Sequence, residues 1–213
     1  MEDKKNGLTL TQQKSLLLQK AKPKIKATGL MKAKMHSNLV KGKRQASYSN
    51  MYWLLDTSGS MSGDKIWQLI DTVEYLLPKY PLVHMIQFGD FVSRITEDRV
   101  PHLVAMGSTP MLEALYMAWK CNADAIVLLT DGDPTDAPKG RILDEVENHA
   151  NIPISTIGIG EYHDRDFLKA ISDATGGNAV YCEEEELAML TDKFEEALQL
   201  TDTHGKKKGV IQL

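Results

Sequence analysis

From Tyr48 onward, short apolar runs alternate with longer stretches in which apolar residues recur every three or four positions. The first run, Met51-Tyr52-Trp53-Leu54-Leu55, drives straight into Asp56 and reads as a buried strand. Ile66, Leu69, Ile70, Val73, Leu76 and Leu77 follow at helical spacing, and Pro78 and Pro81 stop that helix. Residues 83–88 read as a strand, Gly89-Asp90 as a tight turn, and 91–95 alternate as a hairpin partner would. A helix is expected at about 110–121, then a strand at 125–130 and a loop rich in Pro and Asp at 131–138. A helix at about 139–150, a strand at 154–159 and a helix at 164–174 closed by Gly176-Gly177 come next. The short strand 179–182 precedes a last helix carrying Leu187, Leu190, Phe194, Ala197 and Leu198. Strands separated by helices of this length imply right-handed crossovers. The expected fold is therefore α/β: a doubly wound, mostly parallel sheet with one antiparallel edge strand and helices on both faces.

The first 47 residues break this rhythm. They contain few residues that would build a core, beyond one short helical pattern from Thr9 to Ala21. Charge divides at the same place. Residues 1–47 carry 12 Lys and Arg against 2 Asp and Glu, while the rest of the chain carries 13 against 27. The expected organisation is a basic, largely irregular arm at 1–47, a folded acidic body at 48–200, and a short tail at 201–213 containing Lys206-Lys207-Lys208. Such an arm suits an acidic surface, either a neighbouring subunit or nucleic acid. No aromatic residue precedes Tyr48, so base stacking by the arm is not expected.

No apolar run approaches the roughly 20 residues that a membrane span requires, and the first residues lack the apolar core of a secretory signal. Cys121 and Cys182 are too few for a disulfide framework and have no metal-ligand spacing; both read as half-buried thiols. A cytoplasmic protein without a membrane role is the expectation.

Chemistry concentrates where the first strand ends. In Asp56-Thr57-Ser58-Gly59-Ser60 a carboxylate and two hydroxyls occupy alternate positions, the spacing at which an extended backbone aims side chains the same way. Gly107-Ser108-Thr109-Pro110 places another hydroxyl just before a helix, and the strand 125–130 runs into Asp131. Oxygen donors of mixed charge suit a hard divalent cation, Mg²⁺ first, with Mn²⁺ or Ca²⁺ as substitutes.

D-x-S-x-S, then T, then D, in these strand-to-loop contexts, resembles the metal-ion-dependent adhesion site (MIDAS) of von Willebrand factor A-type (vWA) domains, and is similar to those of intracellular bacterial and phage type. The resemblance covers about residues 48–200, with all five signature positions matched. It implies that Ser58, Ser60 and Thr109 contact the ion, while Asp56 and Asp131 act directly or through water. Hydroxyls and water-separated carboxylates offset a doubly charged ion incompletely. The resemblance thus implies a docking module that borrows an Asp or Glu from a protein partner, with an AAA+ ATPase of the MoxR type among the partners it suggests. It also implies that the last helix, about 186–200, couples its position to occupancy.

An enzyme is not expected. No histidine falls within the signature segments, and a phosphate-cradling G-x-x-x-x-G-K is absent. Haloacid-dehalogenase-like phosphatases also begin with an apolar strand ending in Asp, but their pattern requires a second Asp two residues later, where this chain has Ser58. Asp133 and Asp136 read as turn residues, Glu183 to Glu186 as a helix cap, and His84 as a structural residue on a strand. The alternative function is an assembly component whose basic arm binds a neighbour, with the folded body as scaffold.

Overall fold

A computed structural model describes residues 49–204, with side chains described as far as residue 198. These residues lie within one compact unit, Arg44–Leu213. The expected arm, its helical pattern at Thr9 to Ala21 and the Lys206-Lys207-Lys208 run fall outside the described residues.

Six strands form one sheet: β1 (Met51–Asp56), β2 (His84–Phe88), β3 (Val92–Ile95), β4 (Ala125–Thr130), β5 (Ile154–Ile159) and β6 (Ala179–Cys182). Their order is β3-β2-β1-β4-β5-β6, and every pair is parallel except β2 with β3. This is the mostly parallel sheet with one antiparallel edge strand that the sequence pattern implies. The helices are α1 (Asp64–Leu76), α2 (Met111–Lys120), α3 (Lys139–Asn148), α4 (Arg165–Thr175) and α5 (Leu190–His204).

Strand alternation divides the core into two. Trp53, Leu55, Val127, Leu129 and Ile157 face α1 and α5, packing against Leu69, Val73 and Phe194. Tyr52, Leu54, Ile126, Leu128 and Ile154 face α2, α3 and α4, packing against Leu115, Val146 and Ile171. A sheet buried on both faces needs apolar residues at successive positions, which is why β1 and β4 read as unbroken runs.

Three local features depart from the sequence pattern. A 3₁₀ helix, Glu97–His102, fills a stretch for which the periodicity offers no element. A second 3₁₀ helix, Glu184–Met189, precedes α5, so the last helix begins at Leu190 and continues to His204, past the expected boundary at 200. Cys182 is fully buried rather than half-buried, because it sits on the inward face of β6; Cys121 is half-buried as expected. The caps behave as their sequences suggest. Asp164 accepts a hydrogen bond from the Phe167 N–H at 3.0 Å, and Gly176 ends α4 at φ +74°.

Candidate metal centre

The strand order reverses direction between β1 and β4, which makes the gap beyond their carboxyl ends the switch point of the sheet. Asp56 closes β1, and Asp131 follows Thr130 at the end of β4. The β1–β4 register runs through Leu55 opposite Leu129. One step further brings Asp56 beside Thr130, whose hydroxyl donates to Asp56 Oδ2 at 2.5 Å. The Ser58 N–H donates to Asp56 Oδ1 at 2.7 Å, so both carboxyl oxygens are held.

The hydroxyls continue the chain of oxygens. Ser58 Oγ and Ser60 Oγ are 3.0 Å apart, and Ser60 donates to Asp131 Oδ1 at 2.7 Å. Asp56, Ser58 and Asp131 are buried, whereas Ser60 is exposed and marks the open side. Thr109 is also buried, in a loop fastened to its neighbours through the backbone. The Gly59 N–H donates to Gly107 O at 3.1 Å, and Thr109 exchanges hydrogen bonds with Thr135 in the loop after Asp131, at 2.9 and 3.0 Å. Four of the five expected residues are thus joined through side-chain contacts or one intervening backbone N–H, and the fifth lies in the adjoining loop.

Close backbone approach holds these loops together. Met106 N–H donates to Thr57 O, and Thr57 N–H to Phe88 O, each at 2.8 Å. A Cβ on Gly89 would lie 2.6 Å from Thr57 O. Gly107, at φ +79°, would place one 2.3 Å from Asp90 Cα. Neither position has room for a side chain.

Electrostatics set the character of the cluster. Burial pushes the Asp56 carboxyl up to about 6, with the nearby Asp131 charge adding to the rise and the bonds from Ser58 and Thr130 opposing it. Lys65, near the start of α1, places its ammonium 2.5 Å from Asp131 Oδ2, and this pair is largely withdrawn from water. Sequence reasoning missed both Thr130 and Lys65. A signal for Lys65 does exist: a lysine in the first turn of a helix meets the positive end of the helix dipole, so it needs a carboxylate from elsewhere.

The neighbouring acids serve other ends. Asp136 accepts from the N–H groups of Leu112 (3.3 Å) and Glu113 (2.9 Å), capping α2 from a distant loop instead of closing its own turn. Asp133 pairs with Lys139 at 2.7 Å. Glu183 and Glu186 form a capping box on the 3₁₀ helix before α5. His84 is half-buried with its ring 4.9 Å from that of Tyr52, consistent with a structural residue.

The donor set fits a hard cation. Two carboxylates and two hydroxyls joined by short contacts offer oxygen alone, and the raised Asp56 carboxyl shows that its charge lacks full compensation. Among the described residues no group of three or more His, Cys, Asp or Glu side chains is placed to hold a metal ion, so a cation at this cluster would draw on hydroxyl as well as carboxylate oxygens. Beside the cluster, a groove of about 380 Å³ runs from Thr57 past Phe91, Arg94, Arg99 and Met106. Phe91, Val104 and Met106 stand exposed along it.

A six-stranded, mostly parallel sheet of this kind, flanked by helices, is the Rossmann-like vWA fold. The family model described as von Willebrand factor type A domain matches residues 93–181, a span that includes Thr109 and Asp131 and begins after the Asp56 segment. The human von Willebrand factor A domain-containing protein 3B is 32% identical over 148 residues, covering 60% of this chain and 11% of that protein. A von Willebrand factor type A structure from Catenulispora acidiphila superposes with a TM-score of 0.63 at 18% identity, over 73% of this chain and 43% of that one. Proximal thread matrix protein 1 from the mussel byssus, with a zinc-occupied MIDAS motif, superposes with a TM-score of 0.57 at 14% identity, over 72% of this chain and 48% of that one. The family model and the human relative support a vWA domain in this chain, and the two structures share its fold; the chain spans a small part of the human relative and under half of these two structures. Domains of this family generally mediate protein interactions. No helix among the described residues is long and apolar enough to cross a membrane.

Proposed function

We propose that this chain is a metal-ion-dependent docking module. Ser58, Ser60 and Thr109, with Asp56 and Asp131, hold one Mg²⁺, and an Asp or Glu of a protein partner completes the coordination. The observation that carries this reading is the run of oxygens from Asp56 through Ser58 and Ser60 to Asp131 across the switch point. The zinc-occupied MIDAS of the byssus protein supports a divalent cation on this fold and leaves the choice of ion to the donors. Hard oxygen donors favour Mg²⁺, then Mn²⁺ or Ca²⁺.

The role is binding and not catalysis. Among the described residues no histidine is hydrogen-bonded to the five, and Ser58 stands where a phosphatase would need its acid. The groove beside Thr57 gives a partner segment apolar and cationic contacts next to its acid group. In the cytoplasmic setting we propose, an AAA+ ATPase of the MoxR type is the partner to try first.

Capture of partners from lysate in Mg²⁺, in EDTA and with Asp56→Ala tests the reading. Partners held in Mg²⁺ should be released by EDTA and absent with the variant. Binding that survives both treatments, yet is lost on deleting residues 1–47, would replace this reading with an arm-driven assembly role.

A further inference from the structure

Asp131 meets a different group on each oxygen. Oδ1 accepts from Ser60 within the cluster, and Oδ2 meets the Lys65 ammonium at 2.5 Å. The Asp131 side chain is fully buried and that of Lys65 is 14% exposed, so this contact is shielded from most solvent screening. The lysine is also held by its surroundings. Its stem passes Gly160 at the end of β5, where an added Cβ would lie 3.7 Å from both Cε and Nζ. Helix α1, which carries it, packs Ile66, Leu69 and Val73 into the core. The ammonium is therefore a fixed part of the site.

We propose that Lys65 tunes the site in two opposite directions, weakening its hold on the divalent cation and strengthening its hold on the partner's carboxylate. This rests on the docking reading above. Asp56 and Asp131 with Lys65 leave one net negative charge. A divalent cation turns that into one net positive charge, which a single partner carboxylate neutralises. Without the lysine, two uncompensated carboxylates would bind the cation more tightly. The loaded site would then carry no net charge, and an arriving carboxylate would be drawn only by the ion's incompletely offset local charge, hence more weakly. Lys65 thus makes the loaded site anion-seeking, at the expense of metal affinity.

The test uses the full chain with Mn²⁺ as the metal probe and propionate as the carboxylate probe. Free Mn²⁺ is measured by electron paramagnetic resonance, and propionate by the relaxation of its protons near the bound ion. Lys65→Gln keeps a donor for Asp131 and removes the charge, Lys65→Met removes both, and Lys65→Arg keeps the charge. Gln and Met should each tighten Mn²⁺ by about tenfold and weaken propionate by about tenfold, with Arg close to wild type. If Gln and Met leave both constants unchanged, or move them in the same direction, the proposal is overturned while the docking reading stands. If wild type binds no Mn²⁺ that Asp56→Asn abolishes, the docking reading itself fails, and this inference with it.

Discussion

The Thr130 hydroxyl donates to Asp56 Oδ2 at 2.5 Å, joining the ends of two adjacent parallel strands through a carboxylate withdrawn from water. A buried carboxylate that loses a donor keeps its desolvation cost. Thr130→Val, which preserves shape, should therefore lower stability by about 1–3 kcal/mol without changing the fold. Urea unfolding alongside circular dichroism checks this; an unchanged midpoint would show that the hydroxyl contributes nothing.

Asp56 itself should trade stability for function. Its carboxyl is raised from 3.8 to about 6, chiefly by burial. Because the folded state holds the proton more tightly, this linkage favours the fold fully below about pH 3.8 and is lost as pH rises through about 6. Ionised Asp56 then costs up to about 3 kcal/mol when no cation is present. Asp56→Asn should accordingly be more stable than wild type in EDTA at about pH 7.5, with the advantage gone near pH 4. Denaturant unfolding at the two pH values measures the difference, and a less stable variant at the higher pH would contradict the charge argument.

Gly107 holds two loops at backbone contact distance. Its positive φ and the 2.3 Å approach of an added Cβ to Asp90 Cα leave alanine no accommodation without moving the loop. Gly107→Ala should destabilise the domain by about 2 kcal/mol or more and weaken metal binding as the Thr109 loop shifts. Thermal unfolding and Mn²⁺ titration on the same sample read both effects.

Asp136 separates capping from ligation. As an acceptor for two N–H groups at the start of α2, it should cost about 1 kcal/mol when changed to alanine, with metal affinity unaltered. A large fall in Mn²⁺ affinity at equal stability would instead make Asp136 part of the metal site.

The sheet was legible in the sequence because its central strands are buried on both faces, so Met51 to Leu55 and Ala125 to Leu129 form unbroken apolar runs bounded by helical periodicity. The candidate ligands were legible for a related reason, since each stands where an apolar strand ends or a helix begins. Lys65, Thr130 and the α2 cap from Asp136 were not. Each depends on a partner between 23 and 74 positions away; the helix start signals that Lys65 needs a carboxylate but not which one, and nothing local distinguishes Thr130 or Asp136 from their neighbours. The 3₁₀ helix at Glu97–His102 escaped because six residues with Pro101 inside are too short to show a period.

The account turns on whether Asp56, Ser58, Ser60, Thr109 and Asp131 surround one divalent ion. Crystals grown with Mn²⁺ and measured at its absorption edge would decide this through the anomalous signal. The account predicts one peak at the switch point between β1 and β4, within about 2.5 Å of the Ser58 and Ser60 hydroxyls. A strong peak elsewhere on the domain, with these five side chains turned away from a common point, would contradict it.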